Sequence, residues 1–133
     1  MRSLLDTHAF LWSVAEPRRL PPKIATVLQD PEKEINLSAV SIWETAIKLR
    51  AGRMDLQGRT AEDVLDEAVA MNLRLIDLTP DDAAGQSLLT ENTHFDPFDR
   101  MLIWQAISRG LTLMSGDKEF TKFKKDGLSL LWK

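Results

Sequence analysis

Short apolar runs alternate with helical patterns along the whole chain, and that alternation narrows the fold more than any other feature. Met1–Leu5, Ile35–Leu37, Leu73–Leu78, Leu111–Met114 and Leu128–Trp132 read as strands. Helix starts follow most of them. After the first run comes Asp6-Thr7-His8, then the helical spacing of Phe10, Leu11 and Val14. Ser38 reads as the N-cap of a helix to about Arg50 that Gly52 stops, and Thr60 as the cap of a helix with Ala61, Val64, Leu65, Ala68 and Val69 inside. Thr79-Pro80 opens another through Ala83, Ala84 and Leu88, with Asp81 and Asp82 as first-turn acids suited to the helix dipole. Strand–helix repetition of this kind predicts a parallel three-layer α/β/α fold, with a central, mainly parallel sheet of about five strands. At 133 residues, with no linker or repeat, the expectation is a single domain over 1–133.

Composition rules out several classes. Apolar residues make up 44% and charged residues 28%, an ordinary globular balance. Cysteine is absent, which excludes disulfides and thiolate metal sites and suits a reducing compartment such as the cytoplasm. No apolar run reaches membrane-spanning length, and Leu4-Leu5 is too short for a signal-peptide core. The formal net charge of −3 excludes a strongly basic nucleic-acid binder. It does not exclude a phosphate substrate, because divalent ions held by carboxylates would make the site electropositive.

Four acids stand out. In His94-Phe95-Asp96-Pro97-Phe98-Asp99-Arg100, Asp96 reads as an N-cap with Pro97 at the first helical position. Asp99 then shares a stripe with Leu102, Ile103 and Ala106, where an acid is costly unless it has a partner. A first-turn acid favoured by the dipole is the competing account. Glu44 repeats the anomaly beside Val40, Trp43 and Ile47, although an i,i+4 pair with Lys48 would also explain it. Asp6 and Asp117 each follow a strand, and Asp117 could equally be the N-cap of a short helix with Phe120 and Phe123. In parallel sheets ligands bind beyond the carboxyl ends of the strands, so these four acids are expected on one rim. Clustered carboxylates repel unless a cation joins them, and all-oxygen donors suit Mg²⁺ or Mn²⁺ rather than zinc. Such ions support in-line phosphodiester hydrolysis by an activated water.

Leu4-Leu5-Asp6-Thr7-His8, Ser38–Glu44, His94–Arg100 with Met101-Leu102-Ile103, and Leu113–Asp117 resemble, in order and spacing, the PIN domain. The likeness is nearest to VapC-type toxins of bacterial toxin–antitoxin pairs. It implies a metal-dependent endoribonuclease with Mg²⁺ or Mn²⁺ held by Asp6, Glu44, Asp99 and Asp117. A homodimer and neutralisation by a small cognate antitoxin are implied as well. Ser-Gly-Asp stands where Thr-x-Asp is more usual, so Ser115 takes the place of the tuning hydroxyl. Asp96 and Thr7 are expected to support the site, and Arg100 and His94 to be structural or supporting. For RNA contacts the candidates are Lys48, Lys118 and Lys122, with a solvated basic face as the alternative. Trp12, Trp43 and Trp104 fall in helical patterns and read as core or interface. Two other functions stay open: a nuclease acting on DNA, and a non-catalytic PIN-like module whose acids only cap helices and receive a basic partner.

Overall fold

The computed structural model describes residues 1–133. Five strands form one sheet: β1 (Arg2–Leu5), β2 (Glu34–Ser38), β3 (Arg74–Ile76), β4 (Thr112–Met114) and β5 (Ser129–Leu131). All neighbours pair parallel, in the order β3-β2-β1-β4-β5. Six helices connect them: α1 (Thr7–Ala15), α2 (Pro22–Gln29), α3 (Ala39–Arg50), α4 (Ala61–Ala70), α5 (Pro80–Gly85) and α6 (Pro97–Arg109). Short 3₁₀ segments occupy Pro17–Arg19, Gln86–Leu88 and Lys118–Asp126, the last where the sequence suggests a short helix around Phe120 and Phe123.

The period-2 alternation of the strands separates two cores. Leu5, Ile35, Leu37 and Met114 point to one face and pack with Ala9, Phe10, Ile24, Val64 and Ala68 of α1, α2 and α4. Leu4 and Leu113 point to the other and pack with Leu102, Ile103 and Ala106 of α6 and with Phe120 and Phe123. The sheet is therefore sandwiched between two helical layers, as the sequence alternation predicts. No helix is long and apolar enough to cross a membrane.

Helix boundaries follow their local signals. Ser38 caps α3 by accepting from the Val40 amide. Thr60 and Asp63 form a capping box on α4, and Thr79 and Asp82 form one on α5. Asp96 caps α6, Pro97 is its first residue, and Gly110 ends it at φ +65°, in the left-handed region.

Three expectations need correction. The α3 stripe faces the other way: Glu44 is 2% exposed, whereas Trp43 is 53% exposed and Ile47 is also exposed. Glu44 lies one turn beyond Val40 on the buried face, held there by a hydrogen bond to Thr7, while Trp43 sits about 100° round the helix. On α4 only Val64 and Ala68 are buried. Leu65 and Val69 are exposed, because a helix covering the outside of the sheet buries a narrow stripe. Asp82 does more than answer the helix dipole. It is buried, accepts both Arg109 Nη atoms at 2.8 and 3.0 Å, and accepts Gln105 Nε2 at 3.0 Å, so it joins α5 to α6.

Candidate active site

The chain runs outward from β1 to β2 and β3, then returns to place β4 on the other side of β1. Between β1 and β4 the winding reverses, and at such a switch point the connections part and leave a crevice at the strands' carboxyl ends. Asp6 directly follows β1, and Asp117 lies three residues beyond β4. They flank that crevice.

Asp6 is 7% exposed. Its Oδ1 accepts the Ala9 amide at 2.7 Å, so it also caps α1, and its own amide donates to the Met114 carbonyl at 3.1 Å across the switch point. Burial pushes its pKa up to about 6, against hydrogen bonds from Ser115 and Ala9 that favour the anion; the neighbouring Asp99 carboxylate adds to the rise. Asp99, in the first turn of α6, is raised for the same main reason. Hydrogen bonding from His94 opposes that rise, and the charges of Asp96 and Glu44 reinforce it. The charge of Asp99 thus acts on Asp6, and that of Glu44 on Asp99. The stripe position of Asp99 thus has its consequence in a half-buried acid.

Thr7 links two of these elements. Its Oγ1 donates to Glu44 Oε1 at 2.7 Å and lies 3.0 Å from Ser41 Oγ. Glu44 Oε2 meets Lys48 Nζ at 2.5 Å, so the i,i+4 pair forms as well; burial of Glu44 and its pairing coexist. Lys48 is therefore engaged with an acid of this rim. Asp117 is exposed, accepts the Glu119 amide at 2.9 Å as an N-cap, and donates its own amide to Ser115 Oγ at 3.1 Å. Asp96 is exposed and accepts the Asp99 amide at 2.9 Å, which fixes the turn that presents Asp99. Lys118 is exposed and Lys122 pairs with Glu119 at 3.0 Å; neither lines the crevice.

Two residues that the sequence leaves in structural or supporting roles position Asp99. His94 Nε2 stands 2.9 Å from Asp99 Oδ2, with its ring held edge-on to Phe120 and Phe123. Arg100 Nη1 donates to the carbonyls of Glu91 at 2.7 Å and His94 at 3.1 Å and ties down the loop that carries the imidazole.

An open cleft of about 780 Å³ extends from Asp6 and Asp117 past His8, Trp12, Arg19 and Lys23 to Trp132. Its wall was not legible in the sequence, because Trp132 reaches this rim only through the parallel placement of β5 at the sheet edge.

The donor set fits a hard divalent cation. Every candidate ligand is a carboxylate oxygen, Asp6 and Asp99 are held above their ordinary pKa by burial and by neighbouring carboxylates, and a cation would relieve both effects. No three His, Asp or Glu side chains stand close enough together to hold one ion between them, so no more than two of these carboxylates would touch it directly. Mg²⁺ tolerates so few protein ligands because it keeps several of its waters, whereas a tetrahedral zinc cage does not.

Known proteins resemble this chain in sequence and in fold. Ribonuclease VapC22 of Mycobacterium tuberculosis (strain ATCC 25618 / H37Rv) is 28% identical over 131 residues, 97% of each chain. VapBC2 from Rickettsia felis, crystallised bound to a DNA fragment from its promoter, superposes with a TM-score of 0.74 at 15% identity over the full length of both chains. The DNA-bound VapBC from Salmonella typhimurium gives 0.73 at 17% identity, covering 98% of this chain and 97% of its own. At those identities the two structures share the fold. The family model described as PIN domain matches residues 3–126, from the first strand through the 3₁₀ segment beyond Asp117, and the chain belongs to the PIN-domain family.

Proposed function

We propose that this protein is a Mg²⁺- or Mn²⁺-dependent endoribonuclease, the toxin of a toxin–antitoxin pair, held inactive by a small cognate antitoxin and working in the cytoplasm. The observation that carries the reading is that Asp6 and Asp117 line one cleft at the switch point, while the charge of Asp99 acts on Asp6 and that of Glu44 on Asp99, with Asp6 and Asp99 both raised chiefly by burial. Likeness to a ribonuclease over 97% of both chains supports the choice of RNA, and likeness to VapBC structures supports the antitoxin. Exposed Trp43, Ile47 and Leu75 offer apolar surface for a homodimer or an antitoxin contact.

Of Asp6, Asp99, Glu44 and Asp117, one or two would hold the metal directly and the others through its waters. When bound, the ion would supply a water of lowered pKa and positive charge for the phosphoryl oxygens. The chain's own residues do the rest. Thr7 donates to Glu44 and fixes one carboxylate oxygen. Ser115 supports Asp6 and, through the Asp117 amide, sets the loop after β4. His94 and the Asp96 cap hold Asp99 from two sides.

One strand sequence synthesised in ribose and deoxyribose forms tests the reading. With Mn²⁺ or Mg²⁺ present the ribose strand is cut and the deoxyribose strand survives, and chelation stops the reaction. Equal cutting of both strands would favour a DNA-directed nuclease, and no cutting of a panel of RNAs would favour the binding module in which Asp96 and Asp117 serve only as caps.

A further inference from the structure

The cleft beside the acids differs in chemistry from the acids themselves. Trp132 lies just past the carboxyl end of β5, so the parallel sheet delivers it to the same rim as Asp6 and Asp117. Its indole lies flush on Gly116, where a Cβ would stand 2.7 Å from the ring; only glycine at that position lets the ring approach the loop that carries Asp117. Trp12 lies 5.9 Å from Trp132, centroid to centroid, and Arg19 covers Trp12 at 4.4 Å. Lys23 opens α2 on the far wall, with no carboxylate paired to it, unlike Lys48 and Lys122.

We propose that this cleft is a nucleotide subsite for single-stranded RNA. In it Trp132 stacks on the base next to the scissile phosphate, and Lys23 with Arg19 takes the adjoining backbone phosphates. The inference rests on the ribonuclease reading. Three features argue for it. Partly exposed indoles beside cations, here an unpaired Lys23 and an Arg19 that shares its charge with Glu16 at 3.0 Å, are the combination by which proteins hold unpaired strands, since every base offers a π-face and every linkage a charge. The volume of about 780 Å³ suits a group of nucleotide size. The cleft also begins at Asp6 and Asp117, so a base seated on Trp132 places its own phosphate toward the acids. Duplex RNA would keep its bases stacked inside and present none to the ring.

Binding and turnover together test this. In metal-free buffer, A₆ and U₆ oligoribonucleotides and an abasic ribose-phosphate hexamer are titrated against the full chain carrying Asp99→Asn, with quenching of tryptophan fluorescence as the signal. Base-bearing oligomers should quench and bind at least tenfold more tightly than the abasic one. Adding Trp132→Ala should remove about tenfold in affinity, and Trp132→Phe should restore most of it. Lys23→Gln should lower the salt dependence by about one charge, whereas Lys33→Gln, just before β2 at the opposite end of the sheet, should leave it unchanged. In the active protein Trp132→Ala should raise KM about tenfold with kcat within twofold. If the wild type cuts RNA and Trp132→Ala and Lys23→Gln leave KM unchanged, the subsite is wrong and the ribonuclease reading stands. Equal binding of abasic and base-bearing oligomers would also overturn it. If the wild type cuts no RNA, the ribonuclease reading is what fails.

Discussion

Replacing Asp6 with asparagine should stabilise the metal-free protein by about 3 kcal/mol at pH 7.5, while abolishing cleavage. The carboxyl titrates near pH 6 in the folded chain and near 3.8 when exposed, a difference of roughly two pKa units at 1.36 kcal/mol each. Because the folded-state value is raised, the native state binds the proton more tightly. Stability from this group is present at low pH and is lost as pH rises from about 4 through 6. Asparagine has no charge to desolvate and accepts the Ala9 amide as well as aspartate does, so the cap survives. Buried carboxylates elsewhere run the opposite way: Glu91, held down to about 2 by Thr93, and Asp82, lowered by Arg109 and Gln105 against its desolvation, stabilise at neutral pH and weaken only in acid. They are common to both proteins and cancel in the difference. Urea unfolding of wild type and variant between pH 4 and 8 should therefore give curves that coincide near pH 4 and diverge above it. A variant less stable than wild type at pH 7.5 would mean that Asp6 is ionised without penalty. Loss of one metal-facing acid is expected to lower the cleavage rate on the order of 10³-fold.

Arg109→Met should cost about 3 kcal/mol, although Arg109 lies 10 residues beyond Asp99 on α6. The guanidinium makes a two-pronged bond to Asp82, whose side chain is 6% exposed. Methionine keeps the stem and leaves the carboxylate buried with only Gln105 and the Thr79 amide as partners. Breaking a buried pair from one side costs more than removing both members; the lower part of the usual range applies because Arg109 keeps some contact with water. Asp82→Asn combined with Arg109→Met should recover most of the loss, a coupling that a double-mutant cycle reads directly. A shift in urea midpoint worth less than about 1 kcal/mol, at unchanged slope, would show that this pair does not hold α5 to α6.

What could be read from the sequence follows the range of the forces involved. Caps act within three residues, so Ser38, Thr60, Thr79 and Asp96 marked helix starts that the structure places to within a residue. Strand-then-acid order was enough to expect Asp6 and Asp117 on one rim, because in a parallel sheet every carboxyl end faces the same way. The rotation of α3 was not legible. It depends on Thr7, 37 residues from Glu44, and a stripe of Val40, Trp43 and Ile47 looks core-facing to any local reading. Nor was the tryptophan wall. Trp132 meets Gly116 only because β5 lies beside β4, and a glycine beneath an indole has no local signature. Asp82 looked like a dipole acid for the same reason, since its partners lie on another helix.

Thermal unfolding during a Mn²⁺ titration, on wild type and on Asp99→Asn, reads out whether these carboxylates bind a divalent ion. An ion that binds only the native state raises the melting temperature once its concentration passes the dissociation constant. The wild type should show a rise that is largely lost in the variant. The variant without metal should be at least as stable as the wild type, because one of the mutually repelling carboxylates is gone. A melting temperature that does not respond to Mn²⁺ in either protein, up to millimolar concentrations, would contradict the account and leave Asp99 as a helix-capping acid.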